Sequence, residues 1–312
     1  MTKRERETQV TKIARTAADV WMVPAGEAGE MAFISRILVQ AFFPHSDPKK
    51  PGWVRKNGDF TLTLKSGFEV SEDGNPKFFG LPYGTVPRLM LAWLNSEVIH
   101  NLNDEKNTQP HIIYLGKSLS DFLEKIGIGR TGGKTGGITR FKKQAEKLFH
   151  AEISVNCPGT YAGQKGIAKS DIKISDGQFF FWDTRNPEQQ SLFNNYIKLS
   201  EPFYQLLINT PVPMDWRVLK VIKQSPMALD LYMWLTHRMS YLNKHVAIKW
   251  ETLQQQLGGD VEDIHKFRQQ VRQHLKKIST IWQGLKMDAS KPDALHLYPT
   301  SALTIPTKTF PS

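Results

Sequence analysis

The sharpest apolar periodicity lies in the middle of the chain. Leu119, Phe122, Leu123 and Ile126 recur at i, i+3, i+4 and i+7, the single stripe of an amphipathic helix. Ser118, with Asp121 three residues on, is a variant of the capping-box start. A Gly-rich turn from Gly127 to Gly137 ends that helix, and Ile138, Phe141, Ala145, Leu148 and Phe149 predict the next. Upstream, the turn Leu81–Pro87 leads into a helix from Arg88 to about Leu102. His111 to Leu115 is β-branched and aromatic, a short strand. Downstream, Ala151 to Asn156 alternates as a strand, with Asp171–Ile174 as its return partner. Phe43 to Gly80 mixes short apolar pieces with Pro, Gly and Lys, predicting strands and loops.

This order of helix, strand, helix, turn, helix, strand, loop and strand recurs. Ser225-Pro226 opens a helix through Met239, Val246–Lys249 is a strand, and Trp250–Leu257 is a helix. Gly258-Gly259 turns, Ile264–Ile278 is the third helix, and Ile281–Lys286 pairs with Leu295–Tyr298 as a hairpin. Ile138, Phe141, Ala145 and Phe149 align with Ile264, Phe267, Val271 and Leu275 at identical spacing. Trp93-Leu94 and Trp234-Leu235 mark the leading helix of each copy. The repeat is longer than the roughly 20–50 residues of solenoids. The expected fold is therefore α+β, with two tandem winged helix-turn-helix domains in pseudo-repeat. The expected boundaries are a flexible basic arm over 1–30 and a first winged-helix domain with its N-terminal extension over 31–176. A connecting strand and helix segment spans 177–210, and a second winged-helix domain spans 211–312.

Composition adds a charge bias. The 312 residues carry 41 Lys plus Arg against 30 Asp plus Glu, a formal +11, which favours association with polyanions. At 40% hydrophobic and 23% charged residues, wholesale disorder is excluded. The one cysteine, Cys157, excludes an intramolecular disulfide and any multi-thiolate zinc site. The start shows no apolar run of a secretory signal, and no apolar stretch approaches the ~20 residues of a membrane span. A cytoplasmic protein without cofactor or metal is expected.

A helix that reads DNA buries one face and offers cations and hydrogen-bond donors on the other. At about 100° per residue, Arg140, Lys143 and Lys147 fall opposite the core stripe of the first helix, with Thr139 beside them. On the second, Lys266, Gln269, Gln273 and Lys276 fall opposite the stripe, flanked by Arg272. Arg and Lys suit phosphates or guanine, and Gln suits adenine. Arg130 and Lys134 in the Gly-rich turn are further phosphate contacts. Lys165 and Lys169 in the first hairpin loop, and Lys286 and Lys291 in the second, are wing candidates.

Three motif matches fail, one on its structural context, one on spacing and one for want of paired histidines. Gly127, Gly129 and Gly132 satisfy G-x-G-x-x-G, but a helix, not the required strand, precedes them. Gly133-Lys134-Thr135 ends like a P-loop, yet the first glycine would be residue 128, which is Ile128. Tyr241-Leu-Asn-Lys244 has the Tyr-x-x-Lys spacing of nicking replicases. None of the nine histidines stands two positions from another, so the paired-histidine metal site of such enzymes is missing.

Several longer stretches carry a resemblance: Leu81–Leu94, Leu115–Leu123, Arg130–Lys134, Pro211–Asp215 and, most strongly, Ser225–Arg238. Together they resemble the RepA-type replication initiators of bacterial plasmids, over about Phe79 to Tyr298. The resemblance implies a plasmid-encoded protein that binds repeated double-stranded DNA sites in the origin and begins replication. It implies help in opening the duplex, recruitment of host initiator and replicative helicase proteins, and monomer and homodimer forms with different tasks. Charge and periodicity alone support DNA binding by two modules. A transcriptional repressor without initiator activity, and an enzyme nicking the origin through Tyr241, are the alternatives.

Overall fold

The structure, a computed structural model, describes residues 8–40, 42–161, 164–179, 195–258, 261–300 and 303. From the amino end the elements are α1 (Gln9–Met22), β1 (Met31–Ser35) and α2 (Arg36–Gln40). Four strands follow: β2 (Gly52–Asn57), β3 (Phe60–Lys65), β4 (Phe68–Val70) and β5 (Pro76–Phe78). Next come α3 (Thr85–Leu102), β6 (Ile112–Gly116), α4 (Leu119–Lys125) and α5 (Gly137–Phe149). The central stretch ends with β7 (Glu152–Tyr161), β8 (Gln164–Lys173), β9 (Ser175–Phe179), β10 (Asn195–Leu199) and α6 (Glu201–Ile208). The remainder is β11 (Pro211–Asp215), α7 (Trp216–Ile222), α8 (Pro226–Tyr241), β12 (Val246–Lys249) and α9 (Trp250–Leu257). It closes with α10 (Ile264–Ile281), β13 (Met287–Asp288) and β14 (Ala294–Leu297). The chain is α+β. It forms two compact units, residues 33–211 and residues 1–32 with 212–312.

In the 33–211 unit, α3 is buried on nearly every side from Val86 to Ile99, as a helix at the centre of a domain must be. Arg88 is buried with it, and its guanidinium donates to the carbonyls of Phe43 (2.6 Å), Gly84 (2.6 Å) and Pro44 (3.2 Å). Those bonds offset the cost of burying a charge. Strands β2-β3-β7-β8 form an antiparallel sheet in which Leu62 faces Val155 and Leu64 faces Ile153, all four buried. A second sheet has the order β6-β10-β9, with Ile113 paired to Ile197. The stretch expected as a connector, 177–210, thus supplies the middle strand of this sheet and α6, inside the 33–211 unit. Its register depends on partners far away in sequence, which local pattern does not show.

In the other unit α8 is buried along both faces, from Met227 to Met239. Ser225 caps it, its Oγ accepting from the Ala228 amide at 3.2 Å, and Pro226 sits where a missing N–H costs nothing. The fully buried Tyr232 accepts from the Asp215 amide at 3.0 Å. Burial pushes its phenol pKa well above the ordinary value. The sheet has the order β12-β14-β13, with Val246 and Met287 both opposite Leu297. The expected strand at Ile281–Lys286 is displaced to Met287–Asp288 because α10 runs on to Ile281, continuing the buried stripe Phe267, Val271, Leu275 and Ile278.

Residues 9–22 of the expected arm are helical. Thr8 caps α1 by accepting from the Thr11 amide at 3.2 Å, and Ile13, Ala17 and Val20 are buried where α1 packs on α7 and α10. The stripe is thin because one of its members is alanine. The element order of the two copies repeats, but the pairing does not: β6 pairs with β10, whereas β12 pairs with the hairpin strand β14.

Candidate nucleic-acid interface

The turn before α5 is held by its own backbone. Thr131 Oγ1 accepts from the Gly137 amide at 3.0 Å, and the Thr131 carbonyl accepts from the Ile138 amide at 3.2 Å. Thr139 Oγ1 donates to the Gly133 carbonyl at 2.8 Å. Thr139, expected at the DNA face, therefore fastens the turn. Gly133 takes a left-handed φ of +84°, and a Cβ on Gly137 would stand 1.8 Å from the Gly129 carbonyl oxygen. Gly137 thus serves close backbone approach, and Gly133 the left-handed turn. The first amides of α5 are occupied from within the turn, unlike the open amide cradle of a P-loop.

Helix α5 buries Ile138, Phe141, Ala145, Leu148 and Phe149, with Phe141 against Phe122 at 5.4 Å between centroids. Gln144 is also buried, its Oε1 accepting from the Tyr83 amide at 2.8 Å. Arg140 and Lys143 are exposed, as are Lys134 and Arg130. Arg130 lies 3.6 Å from Glu124. Lys147 departs from the expectation. Its side chain, 17% exposed, folds back to Asp47 at 3.2 Å, and its Nζ lies 4.9 Å from the Tyr83 ring centroid. Lys142, which the wheel argument passed over, is exposed beside Lys143.

The second helix pair is pinned by side chains. Gln254 Nε2 donates to the carbonyls of Val261 (2.8 Å) and Glu262 (2.9 Å). Asp263 caps α10 by accepting from the amides of His265 (2.7 Å) and Lys266 (3.1 Å). Those two amide bonds, Lys266 first, hold the Asp263 carboxyl below the usual range. Lys266, Gln269, Gln273 and Lys276 are exposed along α10. Arg272 is half-buried instead. Its guanidinium lies 5.3 Å from the Trp250 ring, and it donates to the carbonyls of Ala289 (2.6 Å) and Lys291 (3.1 Å).

Arg268, missed in the sequence, does the same to Pro292 at 2.6 Å. The β13–β14 loop is thereby drawn onto α10, leaving a cleft of about 430 Å³ that includes His265, Gln269, Gln273 and Ser290. Lys291 is exposed in that loop, whereas Lys286, also exposed, precedes β13 and lies outside the loop in which it is expected. The side chains of Lys165 and Lys169 lie outside the described residues. Tyr241 ends α8, 53% exposed, with its hydroxyl accepting from Arg238 at 3.0 Å. Among the described residues no group of three or more His, Cys, Asp or Glu is placed to hold a metal. No helix among them is long and apolar enough to cross a membrane.

A family model described as plasmid encoded RepA protein matches residues 81–252, more than half of the chain. The chain belongs to the RepA family. RepA proteins are plasmid replication initiators, and the match takes in α3 to the start of α9, including α5; α1 and α10 lie outside it. A crystal structure of domains 2 and 3 of RctB is similar in fold, with a TM-score of 0.52 at 11% identity, over 85% of this chain and 96% of that one. A second RctB structure, of residues 155–483, gives a TM-score of 0.48 at 14% identity over the same shares. Comparison with curated protein sequences gives no match.

Proposed function

We propose that this RepA-family chain is a non-enzymatic initiator that binds repeated origin sites sequence-specifically through two winged-helix modules. In this reading α5 and α10 are the recognition helices, and the β7–β8 and β13–β14 hairpins are the wings. The observation that carries it is shared by both helices. Each follows a short helix and a turn, buries one stripe, and turns exposed Arg, Lys or Gln outward: Arg140 and Lys143 on one, Lys266, Gln269, Gln273 and Lys276 on the other. Lysines positioned this way suit phosphates, and the glutamines suit adenine edges. Duplex opening, recruitment of host initiator and helicase, and a homodimeric form follow from the family reading.

Binding to an origin duplex is expected to fall about 10³–10⁵-fold between 50 and 200 mM salt if roughly 6–10 phosphates are engaged. Lys143→Glu weakens binding to every duplex, whereas Gln269→Ala relaxes preference at one base position at a cost of about 1–3 kcal/mol. Wild-type binding by both variants would remove these helices from the interface. A plasmid-maintenance assay separates initiation from repression alone, since a repressor binds the same sites without sustaining replication.

A further inference from the structure

Helix α1 builds a second cationic surface that the recognition helices do not use. It is tied to α7 at both ends. At its start, Gln9 Nε2 donates to the Val221 carbonyl at 2.7 Å, and Gln224 Nε2 donates to Gln9 Oε1 at 3.3 Å. At its end, Arg217 donates to the carbonyls of Asp19 (2.9 Å) and Val23 (2.8 Å). That guanidinium is itself held by the buried Asp215 carboxylate at 2.6 Å. Between the ties lies an open cleft of about 330 Å³. Among the described residues, Lys12, Arg15, Arg217, Lys220 and Lys223 line it against one carboxylate, Asp19.

The ties hold these cations together in the free protein. Glu30 offsets Lys220 in part, at 3.6 Å. The Lys223 ammonium is pushed below its ordinary pKa by burial first, and then by Lys12 and Lys220. A bound anion relieves such crowding, because an opposite charge favours the protonated amine. Among the described residues the lining contains no aromatic side chain, so a nucleobase finds no ring there to stack on and recognition rests on phosphate. The cleft also adjoins α10. Gln224 is bonded to Gln9, and its neighbour Ser225 is within 3.2 Å of His274 Nε2, next to Gln273.

We infer that the cleft between α1 and α7 is a clamp for DNA backbone phosphates flanking the groove that α10 reads. The inference rests on the DNA-binding reading above and extends it to α1, which lies outside the matched family region, together with α7, which lies inside it. Phosphate contacts of this kind fix register and add affinity without reading bases.

The test is the full chain carrying Lys12→Ala with Lys223→Ala. Circular dichroism and melting check that it folds as the wild type does. Expected is a roughly tenfold or larger loss of affinity at low salt, equal for origin and random duplexes. The slope of log affinity against log salt shallows by about 0.9 for each phosphate that the variant no longer neutralises, and base preference is unchanged. Shortening the duplex to the bases under α10 removes the difference between variant and wild type. If the wild type binds steeply with salt and the variant matches it, the clamp is overturned while the DNA-binding reading stands. If the wild type binds no duplex in a salt-dependent way, that reading fails first. Inorganic pyrophosphate that binds through Lys12 and Lys223 without competing with duplex marks a small-anion site and also overturns the clamp.

Discussion

Lys147 Nζ lies 3.2 Å from Asp47 Oδ2 and 4.9 Å from the centroid of the Tyr83 ring, so the last cation of α5 is engaged inside the domain. Lys147→Ala is therefore expected to cost about 1 kcal/mol in urea unfolding, through weaker stem packing and removal of a partly shielded ion pair. Its effect on DNA affinity should be far smaller than that of Lys143→Ala. A Lys147→Ala variant that folds with full stability but loses DNA binding would return this residue to the interface.

Arg272 joins Trp250 to the β13–β14 loop through one planar group. Arg272→Lys keeps the charge and loses the fork that reaches the carbonyls of Ala289 and Lys291. Faster amide hydrogen exchange across residues 287–297 is expected, with weaker DNA binding and unaltered base preference. Unchanged exchange in that hairpin would mean the loop is held by other contacts.

The Gly-rich turn separates two kinds of glycine. Gly129 meets no atom within 4 Å of an added Cβ, whereas at Gly137 the Cβ would strike the Gly129 carbonyl. Gly137→Ala should lower stability by roughly 1–3 kcal/mol or more, and Gly129→Ala should stay within about 0.5 kcal/mol. Thermal melts of the two variants decide it; equal melting temperatures would contradict the close approach.

Asp263 gives α10 a pH dependence of known sign. Its carboxyl is held low by the amides of Lys266 and His265, so the cap contributes fully above the ordinary Asp value of about 3.9. That contribution is lost as pH falls through the depressed value. Asp263→Asn keeps an acceptor but removes the charge, so its unfolding free energy should vary less with pH below about 4. Identical pH profiles for the two proteins would rule this out.

Much of the fold is legible in the chain where apolar spacing is regular. Ile138, Phe141, Ala145 and Phe149 set α5, and Val246–Lys249 and Trp250–Leu257 are found as expected. Helix α1 is hidden because Ala17 contributes little apolar contrast between Ile13 and Val20. The partner of β6 is hidden because β10 stands some 80 residues away. At the candidate site, the helical wheel gives the direction in which a Cβ leaves the helix, not where a long side chain ends. Arg140 and Lys143 stay outward, while Lys147 and Arg272 turn back to Asp47 and to backbone carbonyls. Neighbours from other elements decide that, and no local window contains them.

Helix α1 has a consequence for synthesis as well as for shape. Its partners α7 and α10 are translated only after the whole of residues 33–211. At bacterial elongation rates of ~5–20 residues per second, α1 waits on the order of ten seconds or more for the surface that covers Ile13 and Val20. The intervening unit can fold during that pause, whereas the other is completed only afterwards, from segments on either side of it in the chain.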